Sequence, residues 1–269
     1  MNEPLEEKYL KLRQILRQMG SVLVAFSGGV DSTFLLKVAK DELGKRVHAI
    51  TATSPTYPEW EFRSAVDLAD SIGVPQIVVE SNELEIAGFS ANPKDRCYHC
   101  KKELFQLCVR KAAELGYDYI ADGSNVDDLG DYRPGRTAVA ELGVRSPLLE
   151  AGLGKEEIRQ LSKELSLPTW NKQPFACLAS RFPYGTEINA ERLRQVERCE
   201  ELLRQEGFSL YRVRFHEQTA RIELTEEEMP RLLEKGLKER VVKGFKEAGF
   251  IYVALDLQGY RTGSMNETN

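Results

Sequence analysis

Ser21-Val22-Leu23-Val24-Ala25-Phe26-Ser27-Gly28-Gly29-Val30-Asp31-Ser32 decides how the rest of the chain is read. Its first half is a short, bounded, β-branched apolar run, the pattern of a buried strand. Three small residues follow, then Asp31 and Ser32. From Thr33 to Leu43 the apolar side chains Phe34, Leu35, Val38, Ala39 and Leu43 share one helical face. The order is strand, glycine loop, helix. That order aims free backbone N–H groups and the positive end of a helix at the space over the loop, where phosphate is the natural guest. The glycines let the backbone approach an anion closely. The loop carries no lysine, which excludes G-x-x-x-x-G-K-[ST]. Gly28-Gly29 does not supply the G-x-G-x-x-G of dinucleotide sites.

Outward from this loop the strand and helix patterns alternate. Residues 4–19 read as an amphipathic helix covering the sheet edge. Strands are expected at 46–53, 76–80, 117–121 and 146–149, and helices at 59–72, from Cys97 to Gly116, at 137–142 and at 152–165. The alternation implies an α/β fold, a doubly wound parallel sheet with helices on both faces, whose ligands sit at the carboxyl ends of the strands. Two prolines and a glycine in 171–186 mark an irregular passage. Beyond it, 189–205 reads as a helix, and 211–216 with 220–224 as a hairpin. Thr225-Glu226-Glu227-Glu228 reads as a capping box opening a helix, and 251–257 as a last strand. The expected organisation is a nucleotide domain over 1–170, a linking active-site loop over 171–186, and a smaller C-terminal α+β domain over 187–269 for substrate binding or oligomerisation.

Composition narrows the function classes. The chain has 269 residues, 42% hydrophobic and 29% charged, with a net charge of −5. This charge gives no general attraction to nucleic acid or to an anionic membrane. No apolar run approaches a membrane span of about 20 residues, and the charged N-terminus does not read as a signal peptide. A cytoplasmic location is the expectation. Five cysteines at uneven spacing do not form a disulfide framework and read better as thiols or metal ligands.

Several residues can carry chemistry. Asp31 is placed to hold Mg²⁺ against phosphate, or to stabilise the helix dipole. Ser27 and Ser32 offer hydroxyls to phosphate, or act as simple caps. Asp122 and Arg133 lie in a polar loop after the fourth strand, a place suited to nucleotide and metal. Cys97 and Cys100 form C-x-x-C at a helix start, and Cys177 in the later loop is their natural third partner. Three thiolates can hold a 4Fe–4S cluster with one iron open, or structural zinc with His99 as fourth ligand, or no metal. Cys108 and Cys199 fall in helical patterns as core thiols. Ser180 and Arg181 beside Cys177 read as an anion-binding pair. Arg212 and Arg214, two apart on a strand, face one way and make a phosphate or carboxylate clamp, or a solvated face. Arg221 and Glu223 share a face on the partner strand. Glu200 joins this cluster or pairs with Arg204 one turn on.

Ser27-Gly28-Gly29-Val30-Asp31-Ser32 resembles the PP-loop of ATP pyrophosphatases, which cleave ATP to AMP and pyrophosphate. Asp131-Tyr132-Arg133-Pro134-Gly135, Trp170-Asn171-Lys172, Ser180-Arg181-Phe182-Pro183-Tyr184-Gly185-Thr186 and Arg212-Val213-Arg214-Phe215-His216 extend the likeness over nearly the whole chain. Together they resemble the LarE family, the sulfur transferases that build the nickel-pincer nucleotide cofactor of lactate racemase. The resemblance implies a pyridinium dicarboxylic acid mononucleotide as substrate, adenylated with ATP and Mg²⁺ and converted to thiocarboxylates. It also implies functional roles for Asp31, Ser180, Arg181, Glu200, Arg212, Arg214 and Glu223, with Glu200 and Glu223 as candidate divalent-cation ligands. In many members one cysteine gives up its sulfur and becomes dehydroalanine. The trio Cys97, Cys100 and Cys177 departs from that pattern and resembles the cluster-dependent branch and the tRNA thiolases. Cys177 is then the catalytic cysteine, as cluster ligand or as sacrificial donor. Thiolation of tRNA and a non-catalytic, nucleotide-responsive metal protein are the rival readings. A homo-oligomer is compatible with all of them.

Overall fold

An amphipathic helix, α1 (Glu3–Met19), leads into the central strand β1 (Val22–Ala25). The computed structural model describes residues 3–129, 135–261 and 264. The chain divides into two compact units. One holds the described residues through Asn82 together with Asp95–Phe175, and the other holds Glu83–Lys94 and the described residues from Ala176 onward.

In the first unit β1 is followed by α2 (Val30–Leu43), β2 (Val47–Thr53), α3 (Glu59–Ile72) and β3 (Gln76–Glu80). Then come α4 (Arg96–Leu115), β4 (Ile120–Ala121), α5 (Gly135–Glu141), α6 (Pro147–Glu150) and α7 (Lys155–Glu164). The sheet order is β3-β2-β1-β4. All its pairs are parallel, with Val22 opposite Val47, Leu23 opposite Ile120 and Ala49 opposite Gln76. The expected doubly wound α/β domain is therefore present, with β1 central. Val22, Leu23 and Val24 are fully buried, as a strand covered on both faces requires.

Two expectations are corrected. Helix α1 lies against α2 rather than over the sheet edge. Its Leu5, Leu12, Leu16 and Met19 share a core with Phe34, Leu35 and Val38, and the Tyr9 and Phe34 rings are 6.2 Å apart. The expected strand at 146–149 is instead helix α6, and only Arg145 bridges in parallel to Ala121. Pro147 explains this. It has no N–H for a ladder and is preset for the first turn of a helix.

The second unit contains α8 (Ala190–Gln205), β5 (Tyr211–His216), β6 (Thr219–Leu224), α9 (Met229–Leu232), α10 (Leu237–Glu247) and β7 (Tyr252–Leu255). Strands β5 and β6 are antiparallel, with Arg212 opposite Glu223 and Arg214 opposite Arg221, and β7 adds in parallel to β6. The Asn189 carboxamide oxygen accepts the Arg192 N–H at 3.0 Å and starts α8. Thr225–Glu228 form a turn and not the first turn of a long helix. Glu228 instead accepts the Ser209 N–H at 2.9 Å, and α9 is only four residues long.

Asn92 fastens the 83–94 segment within this unit. Its backbone is left-handed, with φ 55°. Its amide donates to the carbonyls of Phe182 (3.2 Å) and Pro183 (2.7 Å), and its own carbonyl accepts from Gly185. The Ser180–Thr186 loop is thus held from behind.

Candidate functional site

The loop after β1 is shaped by close packing. Gly28 has φ +64°, and a Cβ there would lie 3.1 Å from the backbone of Ala65 on α3. Only glycine adopts this geometry without strain. Gly123, just past β4, approaches α2 so closely that a Cβ would lie 3.0 Å from the Ser32 nitrogen. Ser27 and Ser32 meet across the loop, with their hydroxyl oxygens 3.2 Å apart.

Asp31 stands in the first turn of α2. One carboxylate oxygen accepts from the Asn125 amide at 3.2 Å and the other from the Lys155 ammonium at 2.5 Å. A hard oxygen donor at a phosphate loop suits Mg²⁺, which takes one or two carboxylates beside phosphate oxygens. A cation at Asp31 would take over the charge that Lys155 now balances. Asp122 is buried and accepts from the Ser146 hydroxyl (2.6 Å), the Ser124 hydroxyl (2.6 Å) and the Ser124 N–H (3.3 Å). It therefore braces the loop after β4. Arg133 lies outside the described residues. Lys155, Asn125 and Lys172 escaped the sequence reading. No motif marks Lys155 or Asn125, while Lys172 lies in the Trp170-Asn171-Lys172 element.

The second unit gathers the expected arginines. Arg181 is fully buried, and its guanidinium makes a two-pronged pair with Glu200, both distances 2.9 Å. It also donates to the carbonyls of Ala176 (2.6 Å) and Cys177 (3.2 Å) and to the Ser180 hydroxyl (2.9 Å). Burial works against its charge, but Glu200 outweighs burial and raises its pKa. Glu200 also accepts the Val213 N–H at 2.9 Å. Glu200 thus belongs to this cluster. Arg204 pairs with Glu201 instead.

Arg214 donates to Glu223 (2.7 Å), the Ser180 carbonyl (3.0 Å) and the Ser264 hydroxyl (2.9 Å), and its Nε is buried with no partner among the described residues. Arg212 donates to the Tyr211 carbonyl at 2.7 Å and lies 5.2 Å from the Tyr260 ring centre. Burial first, and the Arg181 charge second, push the Arg212 pKa below the ordinary arginine value. Both strand arginines are buried, which removes the solvated-face alternative. Glu223 also faces Arg221 at 3.2 Å. Glu200 and Glu223 thus stand among guanidinium groups, which act as their counter-charges.

The five thiols sort by burial. Cys108 and Cys199 are buried, as expected of core thiols. Cys97 is exposed, and Cys100 and Cys177 are partly exposed. Burial pushes the Cys108 thiol up to about 12 and raises Cys199 as well. Cys97 lies in the first turn of α4 and Cys100 at the start of the second, and Cys177 belongs to the other unit. The donor chemistry of these thiols suits iron–sulfur or zinc. Among the described residues, no three His, Cys, Asp or Glu side chains are gathered as a metal site.

A family profile described as asparagine synthase matches residues 12–96, the phosphate loop and its flanks. A protein of Synechocystis sp. without an assigned function is 45% identical over 262 residues, covering 97% of this chain and 98% of its own. The pyridinium-3,5-bisthiocarboxylic acid mononucleotide synthase of Lactiplantibacillus plantarum is 40% identical over 265 residues, covering 98% of this chain and 95% of its own. The chain belongs to the LarE family. A protein of Methanocaldococcus jannaschii, also without an assigned function, shares 31% identity over 259 residues, 95% of this chain and 98% of its own. LarE membership and the PP-loop domain make this an ATP-using transferase. Among the described residues, no helix is long and apolar enough to cross a membrane.

Proposed function

We propose that this LarE-family enzyme converts the carboxylates of pyridinium-3,5-biscarboxylic acid mononucleotide to thiocarboxylates at the expense of ATP. The reading is carried by the near-full-length identity to the Lactiplantibacillus plantarum synthase. Ser27, Gly28, Gly29, Asp31 and Ser32 hold the ATP phosphates with Mg²⁺, and Asp122 and Arg133 complete the nucleotide site. A substrate carboxylate attacks the α-phosphorus, its P–O bond to pyrophosphate breaks, and an acyl adenylate forms. A sulfur nucleophile then attacks the acyl carbon and AMP leaves with the C–O electron pair. The products are thiocarboxylate, AMP and pyrophosphate.

Ser180, Arg181, Arg212 and Arg214 form the pocket for the phosphate and carboxylates of the substrate. Arg212 and Arg214 supply the charge, and Arg181 acts by holding the turn that carries Cys177 and Ser180. An anion beside Arg212 would relieve the burial and like-charge repulsion that depress its pKa. Such relief is a source of binding energy. Cys97, Cys100 and Cys177 are the accessible thiols and the ligands we assign to a 4Fe–4S cluster. When bound, such a cluster would supply sulfide to the activated carboxylate.

The test is incubation of anaerobically purified protein with the dicarboxylate, ATP, Mg²⁺ and sulfide. Mass spectrometry should find the thiocarboxylate with one AMP and one pyrophosphate per sulfur transferred, and iron with acid-labile sulfide should accompany the protein. AMP release without thiocarboxylate would refute sulfur transfer. Thiocarboxylate made by iron-free protein, with loss of H₂S mass from the chain, would replace the cluster by sacrificial Cys177.

A further inference from the structure

A phosphate loop binds through its peptide N–H groups, so whatever fixes its peptide planes fixes its affinity. In a trans peptide the C=O and the following N–H point in opposite directions, and the described residues contain no cis bond. The Ser27 carbonyl accepts the Tyr57 hydroxyl at 2.9 Å. The Gly28 carbonyl accepts the Lys172 ammonium at 3.1 Å. These carbonyls share their planes with the N–H groups of Gly28 and Gly29. Neither N–H is hydrogen-bonded among the described residues.

Lys172 is itself held by Glu61 of α3 at 2.6 Å, and the Glu61 side chain is 3% exposed. Burial and the Glu61 charge raise the Tyr57 pKa, so its hydroxyl keeps the proton it donates. A flexible glycine pair would otherwise rotate its carbonyls toward the anion, where they repel it.

We propose that Tyr57 and Lys172 are positioning residues of the phosphate loop, pinning the Ser27 and Gly28 carbonyls so that the Gly28 and Gly29 N–H groups point at the polyphosphate of ATP. This rests on the loop being the ATP site. Lys172 acts through the Gly28 carbonyl, and Glu61 keeps its ammonium in place.

The test separates positioning from stability. Lys172→Met alone leaves the Glu61 carboxylate buried without its cation, which destabilises the unit. Lys172→Met with Glu61→Gln removes both charges and should recover the thermal midpoint of the native protein. Calorimetric titration with ATP, pyrophosphate and AMP is then run on native protein, Tyr57→Phe and the double variant. Both variants should bind ATP and pyrophosphate about tenfold more weakly, a loss of about 1.4 kcal/mol, while AMP affinity stays within about twofold. Native affinity for pyrophosphate in the folded double variant would overturn the role of Lys172. Equal loss of AMP and pyrophosphate binding would mark a general structural defect and overturn the proposal. Native protein that binds neither ATP nor pyrophosphate would overturn the ATP reading itself.

Discussion

Arg181→Met is the most informative single perturbation of the second unit. Arg181 and Glu200 have side-chain exposures of 0% and 4%. Removing the guanidinium leaves the Glu200 carboxylate buried, with the Val213 N–H and the nearby Arg212 charge but without its two-pronged partner. Breaking a buried pair by deleting one partner costs about 3–5 kcal/mol. The carbonyls of Ala176 and Cys177 lose a donor as well, each at about 1 kcal/mol. These terms add to about 5–7 kcal/mol, and the lower end, about 5 kcal/mol, is expected because methionine still fills the space of the arginine stem. At about 2–4 °C per kcal/mol for a chain of this size the thermal midpoint should fall by roughly 10–20 °C. Arg181→Lys keeps the charge but not the planar fork, so its loss should be about half as large. Arg181→Met with Glu200→Gln should recover a large part of the deficit, since glutamine still accepts from Val213 and no charge is stranded. Urea unfolding followed by circular dichroism measures all three. A single variant within about 1 kcal/mol of native, or a double variant no better than the single, would refute the argument that this pair holds the Cys177 turn.

Three further outcomes follow from the geometry. In metal-free protein, iodoacetamide should modify Cys97, Cys100 and Cys177 and spare Cys108 and Cys199, which intact and peptide mass spectrometry reads directly; early modification of Cys108 would contradict its burial and raised pKa. Gly123→Ala should weaken ATP binding tenfold or more with a modest loss of stability, because its Cβ would press on the backbone nitrogen of Ser32 at 3.0 Å; unchanged ATP affinity would show that α2 gives way without cost. Burial, with Lys40 adding to it, lowers the pKa of His48, whose Nδ1 meets the Tyr117 hydroxyl. The folded state therefore binds this proton less readily than the unfolded chain. The stabilising contribution is full above the unfolded value near 6.5 and is lost as pH falls through the folded value. His48→Gln should flatten that slope in denaturant titrations between about pH 7 and pH 5, and an unchanged slope would assign it to other groups.

Much of the first unit is legible without coordinates. A run such as Ser21–Ala25 ending in glycines before a helical face admits few foldings, because local propensity and burial pattern agree. The parallel sheet, the phosphate loop and α3 at Glu59–Ile72 therefore emerge as read. The error at 146–149 arises where an apolar run of four is ambiguous between strand and helix and one proline decides. The candidate site divides along the same line. Glycines, Asp31 and the strand arginines are visible because the local pattern around them, strand-loop-helix or an alternating strand, marks their positions.

Pairings over long separations are not visible in this way. Lys155 reaches Asp31 across 124 positions and Lys172 reaches Glu61 across 111. No periodicity in a chain encodes which distant carboxylate an ammonium will meet, since a flexible side chain takes whichever partner the packing of helices brings within reach. Glu200 shows the consequence. Its helix offers Arg204 one turn away, yet burial of α8 against β5 places Arg181 beside it instead. In the dry interior the enclosed guanidinium needs a carboxylate more than the exposed one does. The candidate chemical groups of this chain are thus marked locally, in a phosphate loop and a few thiols and arginines. The geometry that holds those groups in place is set by long-range packing.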